Sequence, residues 1–156
     1  MTITALTTFI EVTDARGHVQ HRFQNSKPGE VINYRGVNYP FLSFIYQGAA
    51  KNRTGDNMES ALVLSANAIS MGYAAQAVQS RWNVRVDSCS MHPVNFTVGK
   101  TLTTEFWLAA SMSYDIETVE VLLSSSIDAV GAQAPTRVLT RETVGALPTT
   151  GNLQNR

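Results

Sequence analysis

The chain has 156 residues, enough for one domain with a buried core, and its 44% hydrophobic content is ordinary for a globular protein. Twelve basic residues balance twelve acidic ones with no basic stripe, which argues against a nucleic-acid binder; one cysteine excludes an intramolecular disulfide framework and a cysteine-based zinc site. Only 15% of residues are charged, below the usual quarter or so, and Thr, Ser, Asn, Ala and Val fill the gap, as suits a subunit whose surface neighbours cover.

The first twelve residues lack a basic n-region and a long apolar core, so no signal peptide is expected. The sequons at Asn52 and Asn95 are then chance matches. No apolar run approaches the ~18 residues of a membrane span. The single Cys89 is compatible with folding in a reducing cytoplasm.

In chain order, residues 2–12 are rich in Thr, Ile, Leu, Phe and Val and predict a strand. Asp14, Ala15, Arg16 and Gly17 form a turn, and residues 18–23 return as a second strand. A loop at Lys27-Pro28-Gly29-Glu30 precedes two short β-prone runs that flank Arg35-Gly36, where Gly36 supplies the positive φ of a tight hairpin. Pro40, without an N–H, belongs at a strand end. Residues 41–47 predict another strand, 48–57 a polar loop, and 58–66 a further strand.

The period then changes. Met71, Ala74, Ala75, Val78 and Trp82 mark the apolar stripe of one short helix, with Ser70 or Asn67 as its N-cap. Gly72 costs about 1 kcal/mol relative to Ala, so this helix depends on packing across an open face or end of the sheet. Residues 83–87 alternate strictly as a half-buried strand. Residues 102–112 predict a long strand in which adjacent Phe106 and Trp107 face opposite sides, so both rings need cover: the core for one, a partner or the helix for the other. Residues 119–123 close the series. From Asp128 onward Ala, Gly, Pro and Thr accumulate; Val138-Leu139 could pair briefly with a strand. The expected organisation is a β-rich domain over residues 1–140 and an extended C-terminal arm over 141–156, which either frays or lies along a neighbouring subunit.

Chemistry-bearing clusters are sparse. His18 and His21 are three apart on a strand, an odd offset that points their rings to opposite faces and away from a shared metal. His92 precedes Pro93 in extended loop. Asp115, Glu117 and Glu120 gather near a turn as a solvated face; a glycosidase needs two carboxylates about 5–10 Å apart across a cleft. No nucleophile elbow, P-loop, zinc-protease or dinucleotide fingerprint occurs. Cys89 has no basic neighbour in sequence to activate it, and its expected role is packing. No catalytic, cofactor or metal site is therefore expected.

Three stretches resemble the lambda-type minor tail protein L family of tailed bacteriophages. They are Val-Ile-Asn-Tyr-Arg-Gly-Val-Asn-Tyr over residues 31–39, followed by Pro40-Phe41; the basic-and-apolar strand 81–87; and 105–137, with Val119-Glu120-Val121-Leu122-Leu123-Ser124, Asp128 and Pro135-Thr136-Arg137. The resemblance covers most of residues 30–140, and its motifs are strand patterns. Longer members end in a Cys-rich, iron–sulfur-binding domain; with Cys89 alone, no such cluster is expected here. The resemblance implies a mainly β, antiparallel barrel- or sandwich-like hub domain in a ring at the tail tip. That ring lies between the tube end and the central spike or receptor-binding protein, in a virion assembled in the host cytoplasm. Its expected partners are copies of itself, a trimer by analogy, with tail-tube, tape-measure and baseplate or spike proteins. The interface candidates are Phe106, Trp107, Trp82, Leu147 and Leu153. The alternatives are a six-copy distal-tail or tail-completion ring, a carbohydrate-binding sandwich with Trp82, Trp107, Tyr73 and Tyr114 as its platform, and a hydrolase with an unrecognised site.

Overall fold

The computed structural model describes residues 3–48 and 59–125. The expected polar loop, the C-terminal arm, and Leu147 and Leu153 lie outside these residues. The elements are β1 (Ala5–Thr13), β2 (Val19–Gln24), β3 (Val31–Tyr34), β4 (Val37–Pro40), β5 (Phe44–Gln47), β6 (Glu59–Ser65), α1 (Ala68–Gln79), β7 (Asn83–Met91), β8 (Val98–Tyr114) and β9 (Thr118–Ser124). Strands and the one helix fall close to where the sequence places them, and the fold is mainly β and antiparallel, as expected.

Seven strands form one sheet in the order β2-β1-β7-β8-β9-β6-β5, and β3 and β4 form a separate hairpin. The hairpin turn is local chemistry. Arg35 and Gly36 have φ of 53° and 77°, the two positive values that a two-residue turn needs to match strand twist. Arg35 is an unusual residue there; its guanidinium lies 5.1 Å from the Tyr34 ring centroid and donates to Thr101 Oγ1 at 3.4 Å.

Alternation along β7 and β9 sends Val84, Val86, Val119, Val121 and Leu123 inward. They meet Ile10, Phe44, Leu62, Leu64, Trp107 and Ala109, with Ala74 of α1 closing the core. The sheet curls strongly about it. Tyr46, on edge strand β5, reaches across to Trp107 and Glu105 of β8. The two ends of the sheet approach each other at Gln24 and Phe41, joined by one parallel bridge, and Leu42 N donates to Gln24 O at 2.9 Å. The curl stops short of a closed barrel. The arrangement is sandwich-like, because the β3–β4 hairpin lies on the outer face and packs Tyr34, Tyr39 and Ile32 against Phe9, Cys89 and Met91.

The helix starts at Asn67, the second of the two expected caps. Asn67 Oδ1 accepts from Ile69 N and Ser70 N at 3.0 and 2.8 Å, and Ser70 Oγ accepts from Asn67 N at 3.0 Å. This reciprocal box satisfies donors that the first turn leaves free. Ser70 is thus the third helical residue and not the cap. Trp82 is not on the helix either. The chain leaves it at Ser80, Arg81 turns with φ 49°, and Trp82 N donates to Ala77 O at 2.9 Å. The spacing suggested an eleventh helical step; the indole instead drops into the core from the connection.

Candidate interaction surface

β8 is the longest strand, with 17 residues. It pairs with β7 along residues 98–108 and, on its other side, with β9 along 108–114. β9 has seven residues and stops at Ser124, opposite Leu108. Residues 98–107 therefore have a strand on one side only, among the described residues. Their sequence is Val-Gly-Lys-Thr-Leu-Thr-Thr-Glu-Phe-Trp. Leu102 is 53% exposed and Phe106 is 74% exposed. Leu102 is the extra residue where the β7–β8 register shifts between Ser88 and Cys89. An unpaired edge presents a row of free N–H and C=O groups, a template for another strand.

Behind this edge lies a charged row. Phe106 stands opposite Arg85, Arg85 opposite Glu11, and Glu11 opposite Arg22, across four strands. Arg22 pairs with Glu11 at 2.8 Å, and Arg85 pairs with Glu11 and with Asp87, each at 3.2 Å. Thr104 Oγ1 donates to Asp87 Oδ1 at 2.6 Å, and Arg85 donates to Tyr39 OH at 3.3 Å. Burial works against the Arg85 charge, but Glu11 and Asp87 hold its proton more tightly than usual. Both carboxylates are thus committed to guanidinium partners, and Asp87 is closed off from solvent. On the inner face, Tyr46 OH donates to the Glu105 carboxylate and accepts from Trp107 Nε1 at 2.8 Å. Burial, then the Glu105 carboxylate, pushes the Tyr46 phenol up to about 12. The row and this triad were not picked out from sequence: Trp107 is 61 residues from Tyr46, Arg85 is further still from Glu11, and only strand pairing and the curl of the sheet unite them.

The candidate chemical residues do not converge. His18 lies by Asp14 at the β1–β2 turn, 3.4 Å away. His21 is packed among Phe23, Tyr73 and Trp82. His92 Nδ1 accepts from Val94 N and Asn95 N at 3.3 and 3.4 Å, capping the turn before β8. Asp115 Oδ1 accepts from Glu117 N and Thr118 N, both at 2.8 Å; Thr118 first and Glu117 second hold its pKa below the ordinary carboxylate range. This is an exposed turn that starts β9. Cys89 is fully buried, with Sγ 3.7 Å from Thr101 Oγ1. Among the described residues, no group of three or more His, Cys, Asp or Glu side chains could hold a metal ion. A cavity of about 40 Å³ lies between α1 and the sheet; it has room for a water but offers it only apolar wall surface.

Of the interface candidates within the described residues, Phe106 faces solvent. Trp107 and Trp82 do not: they are 6% and 4% exposed, and both contribute to the chain's own core. The same burial removes two of the four rings of the carbohydrate platform. No protein-family model matches this chain, and no curated protein matches it.

Proposed function

We propose that this chain is a structural subunit of a phage tail tip or baseplate, a segment of a hub ring that joins the distal tail tube to the central spike assembly. The observation that supports the reading most is the half-paired β8. A long strand rich in Thr, with an apolar residue at each of two exposed positions, has no proline and is not short; its edge is guarded only by Lys100, Glu105 and the bulge at Leu102. Such an edge is suited to accept a strand from a neighbour, where main-chain hydrogen bonds supply affinity and alternate side chains supply specificity. The low overall charge agrees, because a surface meant to be covered needs little of it. Head-to-tail contacts of this kind close into rings when the rotation per subunit allows it. Three copies is the preferred number, on the family resemblance, and six is the second.

Native mass spectrometry tests the reading. The wild-type chain should give a closed ring, and the pair of substitutions Leu102→Lys and Phe106→Lys should give monomer whose thermal unfolding midpoint is close to wild type. A wild-type monomer at high concentration would overturn the ring. A ring that ignores tail-tube and spike proteins encoded beside it would keep the assembly and overturn the tail-hub assignment.

A further inference from the structure

His21 is the one histidine placed inside the packing between elements. It stands on edge strand β2, opposite Val12 of β1. Its ring centroid lies 4.2 Å from Tyr73 of α1 and 5.7 Å from both Phe23 and Trp82. One side of the imidazole borders the apolar cavity, together with Val12, Ala74 and Ala77. The other side borders an open groove that also touches Asn38 and Pro40 of β4.

What faces this ring decides what a proton would do there. β1 offers Val12, and β2 itself offers Phe23. α1 offers the Tyr73 phenol and two alanines, and the helix carries no charged residue at all. Trp82 adds an indole, and β4 adds an amide and a proline. Arg22 lines the same groove as His21, a like charge for an imidazolium, and its guanidinium is paired with Glu11, which also pairs with Arg85. Asp14 is held by His18 at the turn. No carboxylate among the described residues stands ready to balance an imidazolium at this position.

We propose that His21 is an acid-sensitive latch that fastens α1 to edge strand β2. The neutral ring fills the seam between Tyr73, Phe23 and Trp82. Protonation puts an uncompensated charge against apolar walls, and the favourable option for the cation is to swing toward the groove and water. The ring faces of Tyr73 and Phe23 return part of that cost through cation–π attraction. The helix is sensitive to the loss because only Ser70 and Ala74 of its residues are fully buried.

Burial lowers the His21 pKa below the ordinary histidine value, in agreement with this geometry. The sign follows. When the folded form binds its proton less readily than the unfolded form, the contact is at full strength above the ordinary histidine pKa, about 6.5, and weakens as pH falls below it. The latch is independent of the tail-hub reading.

The test is an NMR titration of the full chain, with hydrogen-exchange protection factors for α1 amides measured from neutral to mildly acidic pH. His21 should titrate below the ordinary value, and protection in α1 should fall several-fold while protection in β9 holds. His21→Phe should keep the helix protected and make that protection independent of pH, whereas His18→Gln and His92→Gln should behave as wild type. The proposal is overturned if His21 titrates at or above the ordinary value, if wild-type α1 protection is flat with pH, or if the pH response survives in His21→Phe.

Discussion

Phe9 and Phe106 occupy the same outer face of one sheet, two strands apart, and meet opposite fates. Phe9 is 1% exposed, stacked on Tyr34 with ring centroids 4.4 Å apart and an interplanar angle of 5°, and met edge-on by Tyr39. Phe106 is bare. The difference is not in the strands that carry them but in what lies above. The β3–β4 hairpin covers the β1–β7 part of the face and touches β8 at Val98 and Thr101, but among the described residues it does not cover Phe106. The middle of β1 and of β7 is thus covered on both sides, and among the described residues β8 is an edge over residues 98–107. A protein that spends a hairpin on one part of a face and leaves a phenylalanine exposed on another has divided that face between folding and contact.

Substitutions can break this comparison, beginning with the covered side. Phe9→Ala removes a buried ring stacked on Tyr34 and met edge-on by Tyr39 and should destabilise the chain by about 3–5 kcal/mol, read as a lowered midpoint in urea. If the loss is under ~1 kcal/mol, the hairpin is not a true layer of the fold. Asp87→Ala comes next. It takes a buried carboxylate from Arg85 and Thr104 and leaves the guanidinium with Glu11 as its one carboxylate partner, beside the Tyr39 hydroxyl. Breaking a fully buried pair costs about 3–5 kcal/mol; Arg85 retains solvent contact, so the expected loss is smaller, about 2 kcal/mol. The smallest effect on folding belongs to the open side. Phe106→Ser should move stability by less than ~0.5 kcal/mol while weakening self-association, measured by sedimentation. A large loss of monomer stability from Phe106→Ser would mean that the ring is covered within its own chain and that the two phenylalanines do not differ as described.

Much of the architecture can be read from the chain because its causes are local. The turn at Arg35-Gly36 needs two positive φ values and a glycine, whatever surrounds it. Alternation in residues 83–87 and 119–123 sorts side chains between two faces before any partner strand is known. The helix announces its start at Asn67 through a side chain that bonds its own next turn. Its end is not legible at Trp82, because an apolar residue eleven positions on fits a helical stripe and equally fits a chain that has left the helix and turned inward.

Tertiary structure decided everything that depends on strand neighbours. That Phe106 and Trp107 point to opposite faces follows from the pleat; that Trp107 is the covered one depends on Tyr46, 61 residues away, arriving over the curled sheet. The charged row from Arg22 to Arg85 exists only because three strands from distant parts of the sequence fall into one register. Among the described residues, the open edge of β8 is set by where β9 stops, a fact about pairing that no residue of β8 carries in itself. Local torsional preferences and side-chain alternation act over a few residues and are written in sequence, whereas pairing partners, sheet curvature and the cover over each face are settled by contacts across the whole chain.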